Sequence, residues 1–297
     1  MFVLGLQGSP RKGGNTDTFL NAFMEKAVQA GAVTETIQTA KAGIVPCKGC
    51  GYCEKHGVCI IADDPMSENI YGLLRQADLV IAATPVYFYG VSAQLKVLID
   101  RCQTLWSRKY ACKLEDPLAS SRQGLLFSVA ASKGRQVFDG VHLTAKYFFD
   151  AIDARLDQTI TYRGIEAKGA IRQHDDWLVD IEAAVDQMVV PKAGRIKVLF
   201  VSPRGAWRAP MAAAMAQRRF GDRIRTDFAG RSPAGRLDEG MLRWMQKKGL
   251  DMGYRRPQTI QQAFSGVSPD KVIVLDDGKA VFQGTPKQYE TKLKGKK

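Results

Sequence analysis

Phe2-Val3-Leu4-Gly5-Leu6-Gln7-Gly8-Ser9-Pro10-Arg11-Lys12-Gly13-Gly14-Asn15-Thr16-Asp17 is the stretch on which the fold turns. An apolar, β-prone run passes into a loop of small, basic and hydroxyl residues, and the loop opens directly onto an apolar-periodic segment that reads as a helix. The same grammar recurs downstream. Strands are predicted at Phe2–Gly8, Val33–Thr39, Leu79–Thr84, Gly124–Ala130 and Gln158–Tyr162, and helices at Asn15–Ala30, Ser67–Gln76, Val91–Cys102, Val141–Ala154 and Asp175–Val189. Five such units predict an α/β fold with a doubly wound, five-stranded parallel sheet covered on both faces. Ligands of such sheets bind outside the carboxyl ends of the strands, where strand order reverses. The loops after the first, third and fourth strands are therefore the places to look for function.

The chain has 297 residues, 45% hydrophobic and 25% charged, a globular composition long enough for two domains. Its net charge of +13 is unevenly spread. Residues 1–190 carry 20 basic and 21 acidic residues, whereas residues 191–297 carry 23 and 9. A boundary is expected there, with Val190-Pro191-Lys192-Ala193-Gly194 as a helix-breaking linker, a first domain over residues 1–190 and a second over 195–297. After it the pattern restarts: strand Ile196–Ser202, helix Ala209–Phe220, strand Arg225–Ala229, helix Leu237–Lys248 and strand Lys271–Leu275, with a frayed tail over Lys292–Lys297. No internal repeat is visible. With no basic leader, no cleavable apolar segment and no apolar run near 18 residues, a cytoplasmic protein that does not enter the membrane is expected.

The first loop presents backbone N–H groups and a helix N-terminus suited to an anion, with Ser9, Asn15 and Thr16 as side-chain donors and Arg11 as added charge. It is not a Walker A loop, which needs Lys then Ser or Thr after its last glycine, nor a dinucleotide turn. Alone, it equally fits a capped helix behind a flexible turn. The third strand ends in Thr84-Pro85-Val86-Tyr87-Phe88-Tyr89-Gly90, a Pro-stiffened loop whose three aromatics offer flat apolar surface. The fourth is followed by Ala131-Ser132-Lys133-Gly134-Arg135, small enough for a third wall.

Gly8 to Thr16, together with Thr84 to Gly90 leading into Val91-Ser92-Ala93-Gln94-Leu95-Lys96, resembles the NADPH-dependent FMN reductase group of flavodoxin-like proteins. The resemblance implies FMN as cofactor, its phosphate held by Ser9, Arg11, Asn15 and Thr16. Pro85, Val86, Tyr87, Phe88, Tyr89 and Gly90 would then lie along the ring. It also implies NAD(P)H as electron donor and a homo-oligomer.

Between the second and third strands lie Cys47, Cys50, Cys53 and Cys59, spaced C-x2-C-x2-C-x5-C. In a chain with no export signal this reads as metal or redox chemistry rather than disulfides. Such close spacing suits thiolates wrapped on one cuboidal cluster, whereas zinc takes ligands as separated pairs; zinc or free thiols stay open. His56 has no partner at metal spacing and reads as a solvated loop residue. The run, with Ile60-Ile61-Ala62-Asp63-Asp64-Pro65-Met66 after it, resembles archaeal and anaerobic bacterial iron–sulfur flavoproteins, which implies a 4Fe-4S cluster inserted in the flavodoxin-like domain.

In the second domain, Val198-Leu199-Phe200-Val201-Ser202-Pro203-Arg204-Gly205-Ala206-Trp207-Arg208 resembles the phosphate-binding loop of low-molecular-weight protein tyrosine phosphatases and arsenate reductases. Asp227-Phe228-Ala229-Gly230 and Val272-Ile273-Val274-Leu275 extend the likeness. The nucleophile position holds Ser202, a poorer nucleophile than a low-pKa thiolate, and no Asp-Pro pair follows residue 190. A pseudophosphatase is expected, with Ser202 and Arg208 as an anion site. Its basic character suits either an acidic partner or a solvated face; no nucleic-acid motif appears.

The leading expectation is an FMN-dependent oxidoreductase that passes electrons between flavin and cluster to a redox protein or small acceptor. Two others stand beside it: an NAD(P)H-dependent FMN or quinone reductase with structural cysteines, and a redox-sensing adaptor whose pseudophosphatase domain binds an acidic partner.

Overall fold

The computed structural model describes residues 1–276 and 279–289. Its contacts fall into two units: Met1–Lys113 with Arg122–Ala193, and Leu114–Ser121 with Gly194 onward.

In the first unit β1 (Phe2–Gln7), β2 (Val33–Gln38), β3 (Leu79–Pro85), β4 (Gln123–Ala130) and β5 (Arg155–Arg163) form one parallel sheet in the order β2-β1-β3-β4-β5. β1 and β4 are buried at every residue. Strands covered on both faces read as continuous apolar runs rather than as alternation, which is how these sequences are written. The helices are α1 (Asn15–Gln29), α2 (Tyr52–His56), α3 (Tyr71–Gln76), α4 (Ala93–Arg101), α5 (Gln103–Tyr110), α6 (Asp139–Ala151), α7 (Trp177–Met188) and α8 (Val190–Ala193). On one face Phe19 of α1 stacks on Phe127 of β4, ring centroids 3.6 Å apart, with Phe23, Ile181 and Val185 beside them. On the other, Phe149 of α6 lies on β4 so closely that a Cβ at Gly124 would come within 2.4 Å of its ring.

Three elements depart from the sequence expectation. The helix expected over Val91–Cys102 ends at Arg101 and is followed at once by α5. The one expected over Ser67–Gln76 opens with a π-helical turn, Met66–Ile70, before α3. The expected linker is itself helical, since Pro191 falls in the first turn of α8, where its missing N–H has no intrahelical partner to lose.

The second unit is a smaller α/β domain with a mixed sheet. β6 (Ile196–Ser202), β7 (Ile224–Gly230) and β8 (Lys271–Asp276) are parallel, and β9 (Lys279–Gly284) runs antiparallel to β8, in the order β7-β6-β8-β9. The sequence reading had no β9. α9 (Arg208–Phe220) and α10 (Glu239–Lys247) pack around Val198, Phe200, Phe228 and Met241. The segment Leu114–Ser121 completes this unit from upstream: Glu115 N–H donates to Gly249 O, Asp251 N–H donates to Glu115 O, and Arg255 pairs with the buried Asp116 at 2.8 Å. The tail expected over Lys292–Lys297 lies outside the described residues. No helix among the described residues is long and apolar enough to cross a membrane.

Candidate functional site

All five strands of the first sheet are parallel, so their carboxyl ends share one edge, and strand order reverses between β1 and β3. The turns leaving these two strands are fastened to each other there. Gly8 N–H donates to Ala83 O at 2.7 Å. Ser92 caps α4 by accepting Leu95 N–H and donates its own hydroxyl to Gly8 O. Its N–H donates to Thr84 Oγ1 at 3.1 Å, Ser128 Oγ donates to Thr84 O at 2.9 Å, and Val86 N–H donates to Val129 O at 2.9 Å. Thr84, Ser92 and Ser128 are fully buried.

Within the first turn, Gln7 Oε1 accepts Ser9 N–H and Ser9 Oγ accepts Arg11 N–H. Asp17 accepts from Gly13 N–H at 2.7 Å and from Gln7 Nε2 at 3.1 Å, fixing the loop's far side. Gly14 occupies the cap position of α1 and no side chain caps it, which leaves the helix start facing the loop. Arg11 is exposed and Thr16 is buried. Asn15 is committed in two directions: Nδ2 donates to Ala167 O at 2.9 Å and Oδ1 accepts Ile171 N–H at 3.2 Å. It thereby holds the segment that places Lys168 against Gly13, whose φ of +67° leaves room for no ordinary side chain.

After β3, Tyr87 and Gly90 exchange backbone hydrogen bonds across a two-residue turn. Phe88 and Tyr89 occupy it with φ of +48° and +62°. Such turns favour Asn and Gly, and a non-glycine residue held there costs about 1–3 kcal/mol. Phe88 is nonetheless fully exposed. The turn leans on α6, where a Cβ at Gly140 would come within 2.4 Å of Tyr89 O. Ser132 to Arg135, after β4, are exposed, with Gly134 N–H bonded to Ser132 Oγ.

The cysteines leave the carboxyl end of β2. Gly51 and Gly57, both left-handed, start and stop α2, so Cys53 sits on a single turn between flexible flanks. Cys47, Cys50, Cys53 and Cys59 all line one cavity of about 200 Å³, with Ile60, Ile61, Arg101, Gln103 and Thr104. A Cβ at Gly49 or Gly51 would meet nothing within 4 Å, so the backbone there is an open cradle. Ser107 Oγ donates to Cys53 Sγ at 3.4 Å, and Gly49 N–H to Cys47 Sγ at 3.5 Å. As the four thiols stand, no three metal-ligating side chains among the described residues are gathered into a ligating set. His56 stacks on Tyr52 outside the cavity. Cys102 is buried elsewhere, and burial, against the pull of Arg75 and Arg101, pushes its thiol up to about 12.

Sequence reasoning missed the pair that holds this segment. Arg101, at the last turn of α4, and Asp64 are both almost fully buried and meet at 2.5 Å and 3.0 Å through two nitrogens. Burial pushes the Asp64 carboxyl up. The bonds from Arg101, Val45 N–H and Ser67 N–H reverse this and leave it below the ordinary carboxylate value. Burial likewise works against the Arg101 cation, and the hydrogen bond to Asp64 together with the surrounding groups outweighs it. A signal was present in the sequence: Asp64 belongs to the run after Cys59, and Arg101 follows closely on the apolar run Val97-Leu98-Ile99.

In the second unit Ser202 ends β6, almost inaccessible, its Oγ accepting Gly205 N–H at 3.2 Å. The loop lies back to back with Gly230, which a Cβ at Gly205 would approach to 2.6 Å. Its outward carbonyls, on Ser202, Pro203, Arg204 and Ala206, accept the N–H groups of Arg231, Ser232, Ala234 and Asp238. Arg208 opens α9 after the exposed Trp207.

Residues 1–145 match the NADPH-dependent FMN reductase family. Residues 197–294 match the low molecular weight phosphotyrosine protein phosphatase family. The chain is 37% identical over 133 residues to an iron–sulfur flavoprotein of Methanosarcina thermophila, covering 45% of this chain and 65% of that protein. It is 42% identical over 105 residues to an iron–sulfur flavoprotein of Methanocaldococcus jannaschii, covering 35% and 53%. The chain thus spans between about half and two thirds of the length of these relatives. An FMN-dependent NADH-azoreductase from Bacillus anthracis, solved with FMN, aligns at 11% identity and a TM-score of 0.49 over 64% of this chain and 100% of that one.

Proposed function

We propose that the first unit is an FMN-dependent oxidoreductase in which flavin, seated at the carboxyl edge between β1 and β3, exchanges electrons with a 4Fe-4S cluster on Cys47, Cys50, Cys53 and Cys59. The observation that carries the reading is the way α4 joins two sites. Its N-terminal cap, Ser92, ties the turns of β1 and β3 together, and its last residue, Arg101, walls the cavity that all four cysteines line. The residues fit both groups. Soft thiolates at this spacing around an open glycine cradle suit iron–sulfur ligation, and an uncapped helix start beside Arg11 suits a phosphate. When bound, flavin supplies two-electron chemistry that can be divided into single steps, and the cluster supplies single-electron transfer. In this reading Ser9, Arg11 and Thr16 hold the phosphate, and Asn15 holds the segment carrying Lys168 against the loop. Pro85 to Gly90 line the ring, with Phe88 free to cover it.

The bonds that Cys53 and Cys47 accept from Ser107 and Gly49 also suit a second reading, an NAD(P)H-dependent FMN or quinone reductase whose cysteines are structural. Anaerobic purification with FMN, iron and sulfide quantified per chain separates the two. The cluster reading expects one FMN and about four irons, with Cys50→Ala losing iron and keeping FMN. Flavin without iron leaves the reductase reading standing. Colourless protein that takes up no FMN sinks both. For the second unit, a serine at position 202, a weaker nucleophile than a thiolate, supports a catalytically silent phosphatase-like domain whose basic composition suits an acidic partner.

A further inference from the structure

The cysteine segment has little structure of its own. Between Val45 and Ile61 its regular backbone amounts to the single turn of α2, and three left-handed glycines, Gly49, Gly51 and Gly57, leave it many conformations. Its two stems are nevertheless joined at one point. Arg101 donates through one terminal nitrogen to Val45 O at 2.6 Å and to Asp64 Oδ2. Through the other it donates to Ile61 O at 3.2 Å, Asp64 Oδ1 at 3.0 Å and Ser67 Oγ at 3.2 Å. Asp64 completes the ring by accepting Val45 N–H and Ser67 N–H, each at 3.1 Å. Val45 lies two residues before Cys47, and Ile61 two residues after Cys59. One guanidinium therefore grips the backbone on either side of the whole cysteine run.

We propose that Arg101, locked by Asp64, is a positioning residue that closes the neck of the Cys47–Cys59 loop and so holds the four thiolates within reach of a single iron–sulfur cluster. The inference rests on the cluster reading above and deepens it. A planar fork is required, because two carbonyls and a carboxylate are gripped at once, and an ammonium presents no such geometry. Closing the neck restricts the loop before any iron arrives, and less chain entropy is then lost when four ligands are ordered. Arg101 also lies on the cavity wall, so the same side chain sets a buried positive charge beside an anionic thiolate group. This departs from an ordinary buried ion pair, whose partners join elements the core already holds. Here the joined segments are the two ends of a loop whose middle is tied separately to α5, Arg108 donating to Gly57 O at 2.7 Å and Ser107 Oγ to Cys53 Sγ at 3.4 Å.

The test uses the full chain, prepared anaerobically as wild type, Arg101→Gln, Arg101→Lys and Asp64→Asn. Iron and FMN per chain are measured together after reconstitution at limiting iron, and the iron-free proteins are digested with trypsin at Lys48 and Lys55, both exposed within the loop. Arg101→Gln and Asp64→Asn are expected to retain FMN while apparent iron affinity falls about 10–100-fold, as losses of supporting residues around metal ligands do. Cleavage at Lys48 and Lys55 should quicken about tenfold in the iron-free variants, since the neck is open. Arg101→Lys should fail to restore either property. Wild-type cleavage with undiminished iron in Arg101→Gln overturns the proposal, and so does parallel loss of iron and FMN, the mark of general destabilisation. If Arg101→Gln does not fold, Asp64→Asn and Arg101→Lys decide by the same readings. Wild-type protein that binds no iron defeats the cluster reading instead, and the tryptic comparison still reports whether the neck is closed by Arg101.

Discussion

At the N-terminal end of α4 three fully buried hydroxyls, on Thr84, Ser92 and Ser128, fasten turns that emerge from a parallel sheet; at its C-terminal end one guanidinium fastens a segment that belongs to no sheet. The first arrangement is redundant. Each turn there is also a direct continuation of a strand whose ladder and core are independent of any hydroxyl, so a lost bond loosens the site locally. The second arrangement is concentrated, at the neck of the loop, in Arg101 and Asp64, with Arg108 donating to Gly57 O farther along it. A site built on sheet ends tolerates damage that a site whose neck is closed by one buried pair does not.

The largest effect should therefore come from the pair. Removing one partner leaves the other buried and uncompensated, and Arg101→Leu is expected to cost about 3–5 kcal/mol in chemical denaturation, with the double change Arg101→Leu/Asp64→Leu costing clearly less. The pair should also show a pH signature. Because the Asp64 carboxyl is held below its ordinary value in the folded chain, its contribution is whole above about pH 4 and is lost as falling pH protonates it through that lowered value. Unfolding curves of wild type and Asp64→Asn should accordingly differ at neutral pH and converge in acid. A gap that stays constant across that range would mean Asp64 acts through shape rather than charge.

Ser92→Ala probes the redundant end. It removes a helix cap and the bond to Gly8 O, each near 1 kcal/mol, so a loss of about 1–2 kcal/mol is expected. FMN affinity should weaken, since the turn of β1 is no longer tied to α4, while tryptic cleavage at Lys48 and Lys55 stays at the wild-type rate. Faster cleavage in Ser92→Ala would show that the two ends of α4 are coupled, and the contrast drawn above would fail.

The same contrast explains what could be read before the fold was known. The alternation of strands and helices is local and periodic, and the turns after β1 and β3 are written in contiguous residues, so both were legible. The Arg101–Asp64 pair joins residues 37 apart, and Asn15 reaches Ala167 and Ile171 across more than 150. No periodicity marks such partners; a polar residue inside an apolar stretch is the most that shows. Pro191 misled for a related reason, because proline breaks a helix only from within, and its place in the turn of α8 depends on where the preceding helix stops. Leu114–Ser121 joins the second unit through contacts that include the bridge between Glu115 and Leu250 and the pairs Asp116–Arg255 and Glu115–Arg218, none of which has a local signature.

The smallest effect on stability, and the sharpest on function, is expected at Phe88. Its ring is exposed, so its removal forfeits almost no burial, and its left-handed backbone is unfavourable for any residue with a Cβ. Phe88→Gly relieves that strain while adding freedom to the unfolded chain, two terms of about 1 kcal/mol that oppose each other. Stability within about 0.5 kcal/mol of wild type is the expected result in denaturant titration. An exposed aromatic kept on a strained turn makes physical sense if its partner is a flat ligand arriving from solvent. FMN should then bind Phe88→Gly several-fold more weakly, while Phe88→Tyr binds as wild type does, with stacking worth about 0.5–1.5 kcal/mol. If Phe88→Gly binds FMN with undiminished affinity, the turn after β3 is held for some purpose other than covering the ring, and the ring's seat has to be sought toward Ser132 to Arg135 instead.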